Sequence, residues 1–222
     1  MEILYEDNHL IAVYKPAGVL VQKGESNEHD DSTLYWQVKT FLKKRDKKPG
    51  DVFLGVLHRL DRPVSGIVLF AKTSKGAARL SEQFRNRTIR KIYHAVVDGK
   101  LSPPSGVLVH RLQKDRLTKK AEIAEEGDVA ELLYTTVKTA KSRSLIRIEL
   151  KTGRFHQIRA QLAAVGHPII GDIKYGSREK FNGRIALAST ELTFETATTG
   201  EIINTKNSYP EFWDDLLNRP VA

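Results

Sequence analysis

The stretch GVLHRLDRPVSGIVLFAKT, Gly55 to Thr73, sets two apolar runs around a knot of charge. Val56-Leu57 and Ile67 to Ala71 read as strands, with His58, Arg59, Asp61 and Arg62 between them. An ordinary hairpin needs only turn chemistry there, such as Asn-Gly or Asp-Gly. Here a carboxylate is flanked by cations and mounted between segments apolar enough to be buried. Pro63 removes a backbone donor and fixes φ, and Gly66 permits unusual angles, so the segment is suited to holding one geometry. Two readings of Asp61 are open on these residues: a turn or ion-pair residue, and a reacting group on a rigid mount.

Outward from this stretch, Ile3 to Tyr5 and Leu10 to Tyr14 read as short strands. Asp30, Asp31 and Ser32 offer N-cap chemistry for a helix with Leu34, Val38, Phe41 and Leu42 on one face. Lys43 to Asp51, KKRDKKPGD, reads as a basic loop. Ser74 is expected to cap a second helix with Ala77, Leu80 and Phe84 inward. Strands are expected at Lys91 to Asp98, Val107 to Leu112, Val129 to Val137 and Ser144 to Lys151. In the last of these Ile146, Ile148 and Leu150 alternate with charged residues, the pattern of a half-buried strand.

The period then changes. Phe155, Ile158, Leu162 and Val165 recur at helical spacing, and Gly166 with Pro168 ends that helix. A strand at Arg184 to Glu195 and a short helix at Tyr209 to Leu217 complete the chain. Strands with interspersed helices but no regular βαβ alternation predict an α+β fold, a mixed, largely antiparallel central sheet flanked by helices. No repeat, low-complexity segment or long linker interrupts the 222 residues, so a single domain, 1–222, is expected.

Composition narrows the function. Cysteine is absent, which excludes a disulfide scaffold, a thiolate-bound zinc and a thiol nucleophile, and suits a reducing compartment such as the cytoplasm. MEILYEDNHL carries no secretory signal pattern. No run approaches the roughly 18 apolar residues of a membrane helix. Thirty-six Lys and Arg against 27 Asp and Glu give a net charge of +9. These cations cluster at 39–48, 79–91 and 111–120, the footprint of a polyanion partner, with a merely solvated basic surface as the alternative.

A second constellation is Thr152-Gly153-Arg154-Phe155-His156-Gln157-Ile158-Arg159. It sits at a strand-to-helix junction, where backbone N–H groups favour an anion. Arg154 and Arg159 add charge, and His156 and Gln157 add hydrogen-bonding heads; a surface arginine and a satisfied histidine are the plainer alternatives. His58, His156 and His167 are scattered and no HExxH occurs, so no metal site is expected. Neither GxxxxGK[ST] nor GxGxxG is present, which removes the usual cradles of nucleotide cofactors.

Taken in order, these motifs resemble the RluA-type family of RNA pseudouridine synthases. Tyr14 to Val21, YKPAGVLV, resembles the family's NKPAGLLVH. His58-Arg59-Leu60-Asp61 with Ser65-Gly66 resembles HRLDxxTSG, and Lys91 to Gly99 resembles KxYxAxVxG. Leu150 to Arg159 resembles LxTGRxHQIR, and Gly166 to Gly176 resembles GHPIxGDxxYG. The chain departs from the pattern at Tyr14, Pro63 and Val64, and reads Leu187-Ala188-Ser189 where the family often has LHA. The resemblance implies a cofactor-free enzyme that converts particular uridines in structured ribosomal or transfer RNA to pseudouridine by base flipping, in the pseudouridine synthase catalytic fold with an active-site cleft.

By position it makes Asp61 the essential catalytic aspartate, Tyr93 the stacking residue and a candidate in proton removal, and Arg154 the partner of Asp61. Ile158 and Leu187 would line the base pocket, and Arg59 would help open the substrate. His58, Arg159 and Lys15 join the expected substrate-binding residues. The expected protein is a monomer that starts at the first motif, without a preceding RNA-binding domain, so its basic loops would grip the RNA. Two other classes stay open: a noncatalytic RNA-binding protein and a hydrolase using Asp61 with His58.

Overall fold

The computed structural model describes residues 1–23, 30–47 and 49–219; Lys48 of the basic loop lies outside them. The chain opens with β1 (Ile3–Glu6), β2 (Leu10–Lys15), α1 (Leu34–Arg45) and β3 (Gly55–Val56). β4 (Ser65–Ala71), α2 (Ser74–Asn86), β5 (Arg90–Asp98), β6 (Ser105–Lys114) and β7 (Ala121–Ile123) follow. Next come β8 (Asp128–Ala140), β9 (Arg143–Leu150), α3 (Gln157–Ala164) and a 3₁₀ turn at Ile173–Tyr175. β10 (Leu187–Glu195), β11 (Ile202–Lys206) and α4 (Trp213–Asn218) end the order. This is the expected α+β class, with antiparallel pairing between β1 and β2, β2 and β4, β5 and β9, and β8 and β9. No helix among the described residues is long and apolar enough to cross a membrane.

The residues form two compact units, Met1–Ile89 with Glu191–Asn207, and Arg90–Thr190 with Ser208–Ala222. In the first unit β4 is the organising strand, because all seven of its residues are buried. β2 pairs along it from Leu10 opposite Ala71 to Lys15 opposite Gly66, and β3 sets Gly55 opposite Ala71. Leu10, Ala12, Ile67, Leu69, Leu80, Leu192 and Phe194 pack into one core beside these strands. Gly66 has φ +121°, a conformation that side-chain-bearing residues rarely adopt, where β4 leaves the charged loop.

The two helix starts of this unit are each displaced by one residue, α1 later and α2 earlier than expected. Thr33 caps α1, its oxygen accepting from Trp36 N, because Asp30 is already bound to the Ser32 amide and hydroxyl. Thr73 caps α2 by accepting from Gly76 N at 3.1 Å, which leaves Ser74 as the first helical residue. The expected basic loop also begins later. Lys43, Lys44 and Arg45 form the last turn of α1, where cations complement the helix dipole.

The second unit is a meander in which β9 pairs with β5 and β8, β8 with β6, and β6 with β7. α3 starts at Gln157, so the expected helix is too long at both ends. His156 takes a left-handed conformation (φ 49°), which breaks the chain after Phe155 and leaves Phe155 and Val165 exposed. Ile158 and Leu162 are buried as the helical spacing predicts.

Candidate active site

In the first unit, Asp61 sits in the Leu57–Val64 connection between β3 and β4. Its carbonyl accepts from Val64 N at 3.1 Å, closing a turn over Arg62 and Pro63. That turn is sewn to the neighbouring Pro16–Val19 turn. Gly18 N donates to the Arg62 carbonyl at 2.7 Å, and Arg62 Nε donates back to the Gly18 carbonyl at 3.0 Å. Lys15 completes the seam: its Nζ donates to the carbonyls of Pro16 (3.1 Å), Val19 (2.8 Å) and Arg62 (3.3 Å).

Lys15 was expected among the substrate-binding residues, but it is fully buried. Its ammonium bonds the Asp61 loop and the turn beside it. Burial pushes its ammonium down to about 8, with the Asp61 carboxylate pulling the other way. His58 also faces inward: its Nε2 accepts from the Leu69 amide at 2.9 Å, and its ring lies 5.2 Å from that of Phe84. Leu60 is buried, Asp61 half-buried and Arg59 exposed. A carboxylate and a cation are thus presented from a loop whose intervening residues are anchored.

In the second unit, Tyr93 is a largely buried residue of β5 opposite Ile148 of β9. Ile158 on α3 and Leu187 at the start of β10 are buried as well. Arg154 precedes α3, and its backbone is fixed by Gln157: the Oε1 accepts from Arg154 N at 3.0 Å and from Thr152 Oγ1 at 2.7 Å. Gln157 Nε2 donates to the Glu131 carbonyl at 3.0 Å, tying the corner to β8. Within this unit the Arg154 guanidinium meets the Val129 carbonyl (3.1 Å) and the Asp128 carboxylate (3.4 Å).

Arg159 is buried and gives Nε and one terminal nitrogen to the two oxygens of Asp172, at 2.6 and 2.9 Å. Its guanidinium lies 4.9 Å from the Tyr175 ring centroid. The Tyr175 hydroxyl accepts from Ala121 N at 2.7 Å and lies 2.9 Å from His156 Nδ1. Asp172, Tyr175, Thr152 and Gln157 therefore set the position of α3 and its leading corner. Gln157 reads from sequence as a hydrogen-bonding head and Thr152 as part of the same constellation, whereas Asp172 and Tyr175 enter only through their place in a motif.

Comparison with known proteins identifies the family. Residues 9–164, more than two thirds of the chain, match the family model described as RNA pseudouridylate synthase. The dual-specificity RNA pseudouridine synthase RluA of Vibrio cholerae is 35% identical, over 87% of this chain and 77% of its own. The chain belongs to the RluA-type family of RNA pseudouridine synthases. Its enzyme class is accordingly that of an RNA-modifying isomerase.

Another family member, tRNA pseudouridine synthase C of Vibrio parahaemolyticus, is 33% identical over 99% of this chain and 94% of its own. Among solved structures, human RNA pseudouridylate synthase domain containing 4 shares the fold, with a TM-score of 0.78 and 22% identity. It covers 96% of this chain and 90% of that one.

The buried lysine of this family member gives a testable consequence. Lys15→Met keeps length and apolar character but takes the lysine donor from the Val19 carbonyl and leaves the Pro16 and Arg62 carbonyls with one backbone donor each. A buried acceptor left unpaired costs roughly 1–3 kcal/mol, so the variant is expected to lose stability by about that amount in urea unfolding at pH 7. The pH dependence has a definite sign. With its folded pKa depressed to about 8 from 10.5, Lys15 takes up a proton on unfolding between those values. Stability therefore gains a rising contribution across that window, and this contribution should vanish in Lys15→Met. An identical pH profile in both proteins would show that Lys15 titrates normally.

Proposed function

We propose that the protein isomerises selected uridines of folded RNA to pseudouridine with Asp61 as the reacting carboxylate. The observation that carries this reading is the Asp61 loop, pinned by Lys15, Arg62 and the Pro16–Val19 turn while leaving the carboxylate half-buried. Such a mount suits a group that must meet a sugar or base in one orientation.

The reaction breaks the bond between uracil N1 and ribose C1′, turns the ring and joins C5 to the same C1′. The C5 proton is lost and N1 gains one, so composition is unchanged and the chemistry calls for no redox partner. A carboxylate can hold or deprotonate the open intermediate. Tyr93 supplies a ring against which the uracil stacks, and Ile158 and Leu187 supply apolar walls. Exposed Arg59 is suited to stand in for the nucleotide removed from the stack, because a base inside folded RNA must be flipped out to react. Arg154 is the planar cation that the family pattern pairs with the reacting group, and Arg159 holds α3 within its own unit through Asp172.

Transfer RNA is the substrate to try first, since relatives named for that substrate match the chain over nearly their whole length. Work on such RNA would put the enzyme in the cytoplasm, acting as a monomer without a bound cofactor. The test is incubation of the purified protein with unmodified transfer and ribosomal RNA, followed by carbodiimide mapping of pseudouridine. New pseudouridine at defined positions supports the reading. Tight binding without product would indicate a noncatalytic RNA-binding protein, and strand or base cleavage would indicate a hydrolase.

A further inference from the structure

The β6–β7 hairpin carries a feature that the isomerisation reading leaves unused. Its turn, Arg116–Thr118, presents Leu117 at 93% exposure, the most exposed large apolar side chain among the described residues. Single exposed apolar residues are ordinary on protein surfaces. Of the others more than half exposed, Val107, Val109 and Ile202 lie within strands and Met1 is the first residue of the sequence. Leu117 instead stands on the tip of a turn whose shape is fixed. Asp115 Oδ1 accepts from Leu117 N at 2.8 Å, its Oδ2 from Thr118 Oγ1 at 2.6 Å, and Asp115 N donates to the Lys120 carbonyl at 2.9 Å. A polar residue would serve such a turn at least as well.

Charge surrounds this tip. Arg111, Lys114, Arg116, Lys119 and Lys120 outnumber Asp115 and Glu122 on the hairpin. The residue pair next to the turn, Lys114 and Ala121, is fastened to the corner that carries Arg154. Lys114 Nζ lies 4.7 Å from the Phe155 ring centroid, and Phe155 stacks on His156 at 3.8 Å. On the return strand, Ala121 N donates to the Tyr175 hydroxyl, which also meets His156. Leu112, Ala121, Ala130 and Ala160 pack beneath, so the hairpin and α3 share one small core. The tip is therefore a rigid extension of the corner, apolar at its point and cationic around it.

We propose that Leu117 is a wedge that enters a base step of the bound RNA while Arg116, Lys119 and Lys120 hold the flanking phosphates. This rests on RNA as the substrate. An aliphatic side chain between bases unstacks them and bends the helix, and cations on either side offset the cost through phosphate contacts. The partner is a stacked, folded RNA segment, because an already unstacked strand offers no step to open.

The test compares wild type, Leu117→Ala and Leu117→Met on unfractionated transfer RNA, read by dimethyl sulfate reactivity of adenines and cytosines. Bound wild type should raise reactivity at one base step. Leu117→Ala should return that step to its free-RNA level with affinity within about threefold, since the cations remain, and should slow single-turnover isomerisation about tenfold. Leu117→Met, which keeps an apolar point, should retain the signal. Neutralising Arg116, Lys119 and Lys120 together should flatten the log–log salt dependence of binding by roughly 0.7–0.9 per lost contact.

An unchanged reactivity pattern in Leu117→Ala, with pseudouridine formed by wild type, overturns the wedge and leaves the isomerase standing. A Leu117-dependent pattern without pseudouridine does the reverse. Concentration-dependent self-association of wild type that Leu117→Ala abolishes in sedimentation would assign the leucine to a contact between copies and overturn the wedge.

Discussion

Asp61→Asn is expected to lower single-turnover isomerisation by about a thousandfold or more while RNA affinity stays within about threefold. The amide has the carboxylate's shape, and asparagine suits turns as well as aspartate does. The turn itself is closed by the Asp61 backbone carbonyl, which the substitution leaves in place. Lys15, Arg62 and Gly18 bind through backbone carbonyls and amides as well, so the loop should keep its position. What disappears is a negative charge with a free electron pair, which neither a nucleophile nor a base can lack. The measurement is product formed at saturating enzyme, with binding read separately on the same RNA. Activity within tenfold of wild type would remove Asp61 from the chemistry.

The same loop shows where sequence reading reached and where it stopped. The apolar runs around Asp61 were legible because β4 is buried on both faces, and a strand of that kind is written as an unbroken apolar stretch. β9 was legible for the opposite reason, its strict alternation. β7 and β11 were not expected at all. Ala121–Ile123 is too short to show a period and becomes a strand through pairing with β6, and Ile202–Lys206 through pairing with β10. The early start expected for α3 followed apolar spacing alone. A left-handed His156 carries no signal in that pattern, since the residue types favoured there are glycine and asparagine.

The site divides in the same way. The residues proposed to react and to stack announced themselves through motif and chemistry, whereas the residues that fix them did not. Lysine is a surface residue by type, and nothing local says that the end of β2 turns Lys15 inward onto carbonyls contributed from two segments. Arg159 shows the converse. Its charge suggested a substrate contact, yet two of its donors go to Asp172, thirteen residues away. Only the folded chain brings those two groups together.

That pair sets the second large effect. Arg159 and Asp172 are 5% and 1% exposed, so removing either leaves the other as a buried charge without this counterion. Breaking such a pair from one side typically costs about 3–5 kcal/mol, whereas replacing both partners with apolar groups is often close to neutral. Arg159→Met and Asp172→Leu are each expected to destabilise by that amount in urea unfolding. The double variant should lose far less than their sum, a coupling of about 2 kcal/mol or more in a double-mutant cycle.

Activity should not recover with stability. The guanidinium also lies against Tyr175, whose hydroxyl meets both His156 and the hairpin amide of Ala121. Without it, the corner before α3 loses the support that fixes Arg154 and Ile158. The double variant should therefore remain slow at a temperature where it is fully folded, with an unchanged salt slope for RNA binding. Additive losses in the cycle would show that the two residues act independently. A double variant as fast as wild type would show that the ion pair serves stability alone and that α3 holds its place without it.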